Sequence, residues 1–123
     1  METITINIAS LIQSPSALTR EQGKIVYDEI MHNLNTGDKV ILDFKEIESI
    51  ITPFLNVSIG KLYENYNSDQ LNTQLEVKNP PEGTTSKFQM VIKNAKQYYS
   101  NKSAFNKVVE EVINNQWKII KYL

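Results

Sequence analysis

The stretch Lys39–Tyr66, KVILDFKEIESIITPFLNVSIGKLYENY, decides how the rest of the chain is arranged. Val40, Ile41 and Leu42 form an unbroken apolar run closed by Phe44. A short β-branched run of this kind predicts a strand covered on both faces, as in a parallel sheet. Lys45-Glu46 and Glu48-Ser49 interrupt the run, while Ile47 and the pair Ile50-Ile51 keep the connection pinned to a core. Thr52 suits an N-cap, because its hydroxyl can accept a bond from an otherwise unpaired backbone N–H. Pro53 suits the first helical position, where no N–H is needed and φ is already set. Leu55, Ile59, Leu62 and Tyr66 then recur as one stripe of a helix expected over Pro53–Tyr66. Asn56 and Gly60 fall on another face, and the missing side chain of Gly60 lets a neighbouring element come close. The whole reads as a strand-to-helix turn, and a site is expected at that junction.

Upstream, Ile4, Ile6 and Ile8 alternate with Thr3, Thr5 and Asn7, the period-two pattern of a half-buried strand. Ser14-Pro15-Ser16 is a turn or loop. A helix begins near Ser16 to Thr19, where Thr19 and Gln22 match the capping-box pattern. Its expected apolar stripe is Leu18, Ile25, Val26, Ile30 and Leu34, with Thr36-Gly37 as the stop.

Downstream, Asn67-Ser68-Asp69 has turn chemistry. Leu71, Thr73, Leu75 and Val77 alternate with polar residues, which predicts a third strand. Asn79-Pro80-Pro81-Glu82-Gly83 must end it. Phe88, Val91, Ile92, Ala95 and Tyr98 or Tyr99 are spaced for a helix from about Thr85-Ser86. After a break near Ser100–Ser103, Phe105, Val108, Val109, Val112, Ile113 and Trp117 predict a last helix. The tail Lys118–Leu123 fits either an extension of that helix or a short edge strand. The expected fold is therefore α/β, a small sheet of three or four strands, the central ones parallel, with four helices. No repeat, low-complexity tract or linker divides it, so residues 1–123 are expected to form one domain.

The 123 residues carry 13 basic and 14 acidic side chains, a net charge of −1, which gives no global pull toward nucleic acid or an anionic membrane. With no cysteine, disulfides, thiolate metal sites and cysteine nucleophiles are excluded. No run approaches the ~18 apolar residues of a membrane span. METITINIAS lacks the basic region and apolar block of a signal peptide. The expectation is a soluble, cytoplasmic protein.

Leu42-Asp43-Phe44, then Thr52-Pro53-Phe54-Leu55-Asn56 with Ile59-Gly60 and Leu62, resembles the STAS-like domain family of unknown function, a distant relative of bacterial anti-sigma factor antagonists. Thr19-Arg20-Glu21-Gln22-Gly23 and Lys93-Asn94-Ala95-Lys96-Gln97-Tyr98-Tyr99 add to the resemblance, which spans about Ala17 to Tyr99. It implies a STAS-like sheet and a protein partner, a GHKL-type ATPase or kinase. In the antagonists a serine in the loop before this helix is phosphorylated. Aligned without gaps, its position here holds Pro53, which has no hydroxyl, and Thr52 is the nearest acceptor.

Five residues are candidates for an interaction, phospho-acceptor or anion site: Thr52, Asp43, Arg20, Ser49 and Asn56. Thr52 reads as either a helix cap or a phospho-acceptor. Asp43 stands at the carboxyl end of the central strand, where open α/β sheets place ligands; alternatively it caps the next loop or pairs with Arg20 or a lysine. Arg20 lies in a first helical turn, where a cation opposes the helix dipole and calls for an anionic partner. Asn94, Tyr98 and Tyr99 fit either a pocket wall or the core. The single His32 completes no metal site or triad, and the four glycines make no phosphate loop. No cofactor and no catalysis are expected. The leading expectation is a bacterial signalling module docking its partner through the loop Glu46–Pro53 and the helix that follows. The alternative is a small-ligand, nucleotide or phosphate sensor at the Thr52 helix start.

Overall fold

The computed structural model describes residues 2–100. The predicted helix 105–117 and the tail Lys118–Leu123 lie outside the described residues. The chain enters through strand β1 (Thr3–Asn7), a one-turn helix α1 (Ile8–Ile12), a short strand β2 (Ser16–Ala17) and the long helix α2 (Arg20–Asn35). Strand β3 (Lys39–Asp43), a second short strand β4 (Ser49–Ile50) and helix α3 (Thr52–Ser58) follow. A 3-10 segment (Gly60–Glu64), helix α4 (Ser68–Gln74), strand β5 (Leu75–Lys78) and helix α5 over residues 85–100 complete the described chain.

β1, β3 and β5 make one parallel sheet in the order β1-β3-β5. Register places Ile4, Val40 and Leu75 side by side, then Ile6, Leu42 and Val77, all on the face toward the helices. The opposite face carries Thr5, Ile41 and Glu76, then Asn7, Asp43 and Lys78, and is only half-buried or exposed. The expectation that Val40–Phe44 is covered on both sides is thus corrected. Burial alternates along β3, and Lys39 and Glu76 form a 3.5 Å ion pair on the open side.

Three further corrections follow from local hydrogen bonding. Residues 71–74, expected as strand, are helical: Asn67 accepts from the Gln70 N–H at 2.8 Å, and the Gln70 side chain accepts from the Asn67 N–H at 2.9 Å. That reciprocal cap overrides the alternating pattern, and Leu71 is buried as a helical residue. Ile8 opens α1 rather than ending β1, because the Asn7 side chain accepts from the Ser10 N–H at 2.9 Å. The helix expected over Pro53–Tyr66 changes to 3-10 geometry after Ser58. The Ser58 hydroxyl donates back to the Phe54 carbonyl at 2.9 Å, a bond that bends helices, and Gly60 follows. The stripe nevertheless holds, since Leu55, Ile59 and Leu62 are buried.

α2 begins as expected, with both halves of the Thr19–Gln22 capping box formed. Its inward face is Gly23, Val26, Ile30, Asn33 and Leu34. Leu18 and Ile25, expected to be inward, are 45% and 47% exposed. Gly23 is the point where α2 meets α3: a Cβ built there falls 2.8 Å from the Phe54 carbonyl oxygen and 3.1 Å from Val57 Cβ. At the carboxyl end of β3, Phe44 meets Phe88 of α5 edge-to-face at 5.2 Å, which anchors that helix to the core.

Gly23→Ala is expected to destabilise the fold by about 1–3 kcal/mol in urea unfolding, because backbone must move to admit the methyl group. Gly60→Ala should cost less, since the added Cβ meets Val91 at 3.5 Å, Ala95 at 3.6 Å and the Leu55 carbonyl oxygen at 3.8 Å, all ordinary van der Waals contacts.

Candidate functional site

The helix junction singled out in the sequence is built by a second, two-residue parallel ladder. Ser16 pairs with Ser49 and Ala17 with Ile50. The ladder is extended on both sides by the Glu48 N–H on the Pro15 carbonyl at 2.7 Å and the Ile51 N–H on the Ala17 carbonyl at 3.1 Å. Because the strands are parallel, the helices that follow them start at the same end of the molecule. Gln22 locks the exit of β2, donating to the Ser16 carbonyl at 3.1 Å while accepting from the Leu18 and Thr19 N–H groups. The Lys87 ammonium reaches across from α5 to the Ile50 carbonyl at 3.1 Å.

This arrangement brings Ser49, Thr52 and Arg20 to one end of the domain, Ser49 and Arg20 with exposed side chains and Thr52 half-buried. Thr52 is not the N-cap: Ile51 occupies the cap position, no side chain caps α3, and Thr52 is the first helical residue. Pro53 accordingly sits one position deeper than expected, still within the turn whose N–H groups have no helical partner. Arg20 makes no ion pair among the described residues.

Asp43 belongs elsewhere. Its carboxylate accepts from the Lys45 N–H at 2.9 Å and from the Asn79 side chain at 3.1 Å, so it ties the end of β3 to the loop after β5. The hydrogen bond from Asn79 holds its pKa below the ordinary carboxylate value, assisted by the Lys45 backbone N–H and by the charges of Lys78 and Lys45. The pairing with Arg20 does not form; of the alternatives read from the sequence, the structure shows the loop cap.

Asn56 is one turn beyond Thr52 on the exposed side of α3. It faces a cleft of about 280 Å³ lined with Gly60, Asn94, Ala95, Tyr98 and Tyr99. Burial pushes the Tyr99 phenol up, and Glu64 adds to the effect. Among the described residues no group of His, Asp and Glu side chains is placed to hold a metal ion, and His32 is exposed in the last turn of α2. Lys87 and Asn79 are the site residues that sequence reasoning missed. Both act through partners more than thirty residues away, a relation with no local signature.

Two measurements check these assignments. Thr19→Ala should cost about 0.5–2 kcal/mol through the lost cap, whereas Thr52→Val should stay within about 0.5 kcal/mol. Asp43 is charged above about pH 3.9 in the unfolded chain and to lower pH in the folded one, so its contribution is present above that value and lost as pH falls through the folded pKa. Asp43→Asn should therefore flatten the fall in melting temperature between about pH 5 and pH 2 relative to wild type.

Among the described residues no helix is long and apolar enough to cross a membrane. Neither a curated protein nor a solved structure matches the chain. A family model does, that of the STAS-like domain of unknown function, over residues 22–84, the span from Gln22 in the first turn of α2 through β3, β4, α3, α4 and β5 to Thr84, the residue before α5. The mixed α/β architecture and this match agree, and the chain belongs to the family of STAS-like domains.

Proposed function

We propose that this chain is a non-catalytic regulatory module of a bacterial, cytoplasmic signalling or defence system, docking a GHKL-type ATPase or kinase. The docking surface is the loop Glu46–Pro53 with the outward side of α3. The observation that carries this reading is the way the loop is held. Ile47 and Ile50 are buried, and three backbone bonds, from the Glu48 and Ser49 N–H groups to the Pro15 carbonyl and from the Ile51 N–H to the Ala17 carbonyl, fix the segment. Glu46, Glu48 and Ser49 are left exposed on a rigid ledge. A surface ordered before binding loses little conformational entropy when a partner arrives. Leu18, the residue after β2, adds an exposed apolar side chain beside the ledge.

The electrostatics favour binding over catalysis. Asp43, the carboxylate nearest the usual ligand position of an α/β sheet, is shifted toward a stronger acid, the opposite of what a general base working near neutral pH requires. Asp43 is engaged by Lys45 and Asn79, so it, Thr52 and Arg20 do not act together as one sensor site, and the docking reading rests on the way the loop before α3 is held.

Affinity capture from the host with tagged wild type should recover a GHKL-type ATPase. The double variant Glu48→Lys/Ser49→Arg should weaken that complex at least about tenfold, or about 1.4 kcal/mol. Glu76→Lys, on the open face of the sheet, should leave it intact, and so should Thr52→Val. Equal binding by all four proteins, or recovery of no such ATPase, would contradict the proposal.

A further inference from the structure

Strand β1, Thr3-Ile4-Thr5-Ile6-Asn7, has β3 as its neighbour in the sheet, and its other edge faces outward. We propose that this edge is a self-association surface, on which a second copy of the chain pairs its own β1 antiparallel about a two-fold axis at Thr5. The Lys39 N–H bonds the Glu2 carbonyl at 2.8 Å, which sets the way the backbone alternates along the strand. Glu2, Ile4 and Ile6 turn their backbone groups to β3, so Thr3, Thr5 and Asn7 turn theirs to the open edge. Among the described residues no partner meets the outward N–H or C=O of Thr3 and Thr5. A row of unpaired groups of this kind is a template for another strand.

What separates β1 from the other edge of the sheet is its side chains. Every residue of β1 is neutral, and all but the last are β-branched, the type that fits a pleated sheet best. β5, on the opposite edge, carries Glu76 and Lys78 and is closed by Asn79, at φ 54°, and by Pro80-Pro81. Charge and proline are the means by which natural sheets guard an edge against pairing. β5 has both and β1 has neither.

A two-fold axis restricts the register, because each copy must offer the other the same residues. With the axis at Thr5, Thr5 meets its own counterpart and Thr3 meets Asn7, pairs that lie on the open face and have outward backbone groups. Thr5 exchanges both backbone bonds with its counterpart. The Asn7 N–H donates to the Thr3 carbonyl, its own carbonyl being taken by the first turn of α1. On the core face Ile4 meets the second copy's Ile6, and Ile4 is only half-buried in the single chain. Moving the axis to Ile4 sets Glu2 against Ile6, and moving it to Ile6 sets Ile4 against Ile8, which is already helical. The Thr5 register uses the whole strand and joins no like charges. The two guarded β5 edges are left outermost, so association stops at the dimer.

Sedimentation velocity of the full chain over a range of concentrations tests this. Wild type should pass from monomer to twice that mass and no further, with little dependence on salt, since the paired side chains are neutral. Thr5→Lys puts like charges across the axis on an exposed face and should raise the dissociation constant about fivefold, as should Thr5→Glu. Mixing the two variants should restore the dimer, now weakened by salt. Thr5→Pro removes an outward N–H and no bond to β3, so it should abolish the dimer with circular dichroism unchanged. Wild type that stays monomeric up to about 1 mM would overturn the proposal. So would a dimer that Thr5→Lys leaves unchanged, mixed variants that do not pair, or growth beyond the dimer. A monomer whose Thr5 N–H is already protected from hydrogen exchange would also overturn it, by showing the edge covered within one chain.

Discussion

The structure depends on the close passage of α2 over α3 at Gly23. Where any other residue would place a Cβ 2.8 Å from the Phe54 carbonyl, glycine lets two helix backbones touch. Close packing at that distance leaves little freedom in the relative position of the two helices. The parallel ladder of Ser16–Ala17 with Ser49–Ile50 fixes their starting points, and the Gly23 crossing fixes their direction. Between these two constraints the loop Glu46–Pro53 has little room to move. A short segment that would otherwise be an ordinary strand-to-helix connection becomes a shaped surface.

The three-stranded sheet serves this end as a platform. Its covered face is continuous, from Ile4 through Val40 to Leu75 and from Ile6 through Leu42 to Val77. Its open face carries threonine, lysine and glutamate with one ion pair between exposed partners, a contact worth little in water. Parallel sheets are usually buried on both sides. The one-sided burial here places nearly all of the packing on the helical side, where α2, α3 and α5 meet. The ledge and the Asn56–Asn94 cleft both lie on that side, on elements held by the buried core.

Much of the fold was legible in the residues. The capping box at Thr19, the apolar run Val40–Leu42, the stripe of Leu55, Ile59 and Leu62, and the break at Pro80-Pro81 all act through neighbours within a few positions, and all stand in the structure. What failed were decisions between two local options. Asn67 and Gln70 supply a cap that the alternation of residues 71–74 conceals, and Ser58 ends an α-helix whose apolar period continues past it. Isolated strands of two residues, β2 and β4, carry no period at all, so the ladder that organises the site could not be read. The candidate residues suffered most, since their grouping is tertiary. Ser49, Thr52 and Arg20 share one end of the domain, Asp43 is held by Asn79 at the carboxyl end of the central strand, and Asn56 faces α5.

Hydrogen–deuterium exchange resolved at single amides tests the central claim, that the loop before α3 is a fixed surface before any partner binds. The Glu48 and Ile51 N–H groups, bonded to the Pro15 and Ala17 carbonyls, should exchange nearly as slowly as those of Val40 and Leu42 in the central strand. Exchange of Glu48 and Ile51 at the rate of a solvent-exposed loop, with the central strand still protected, would contradict it.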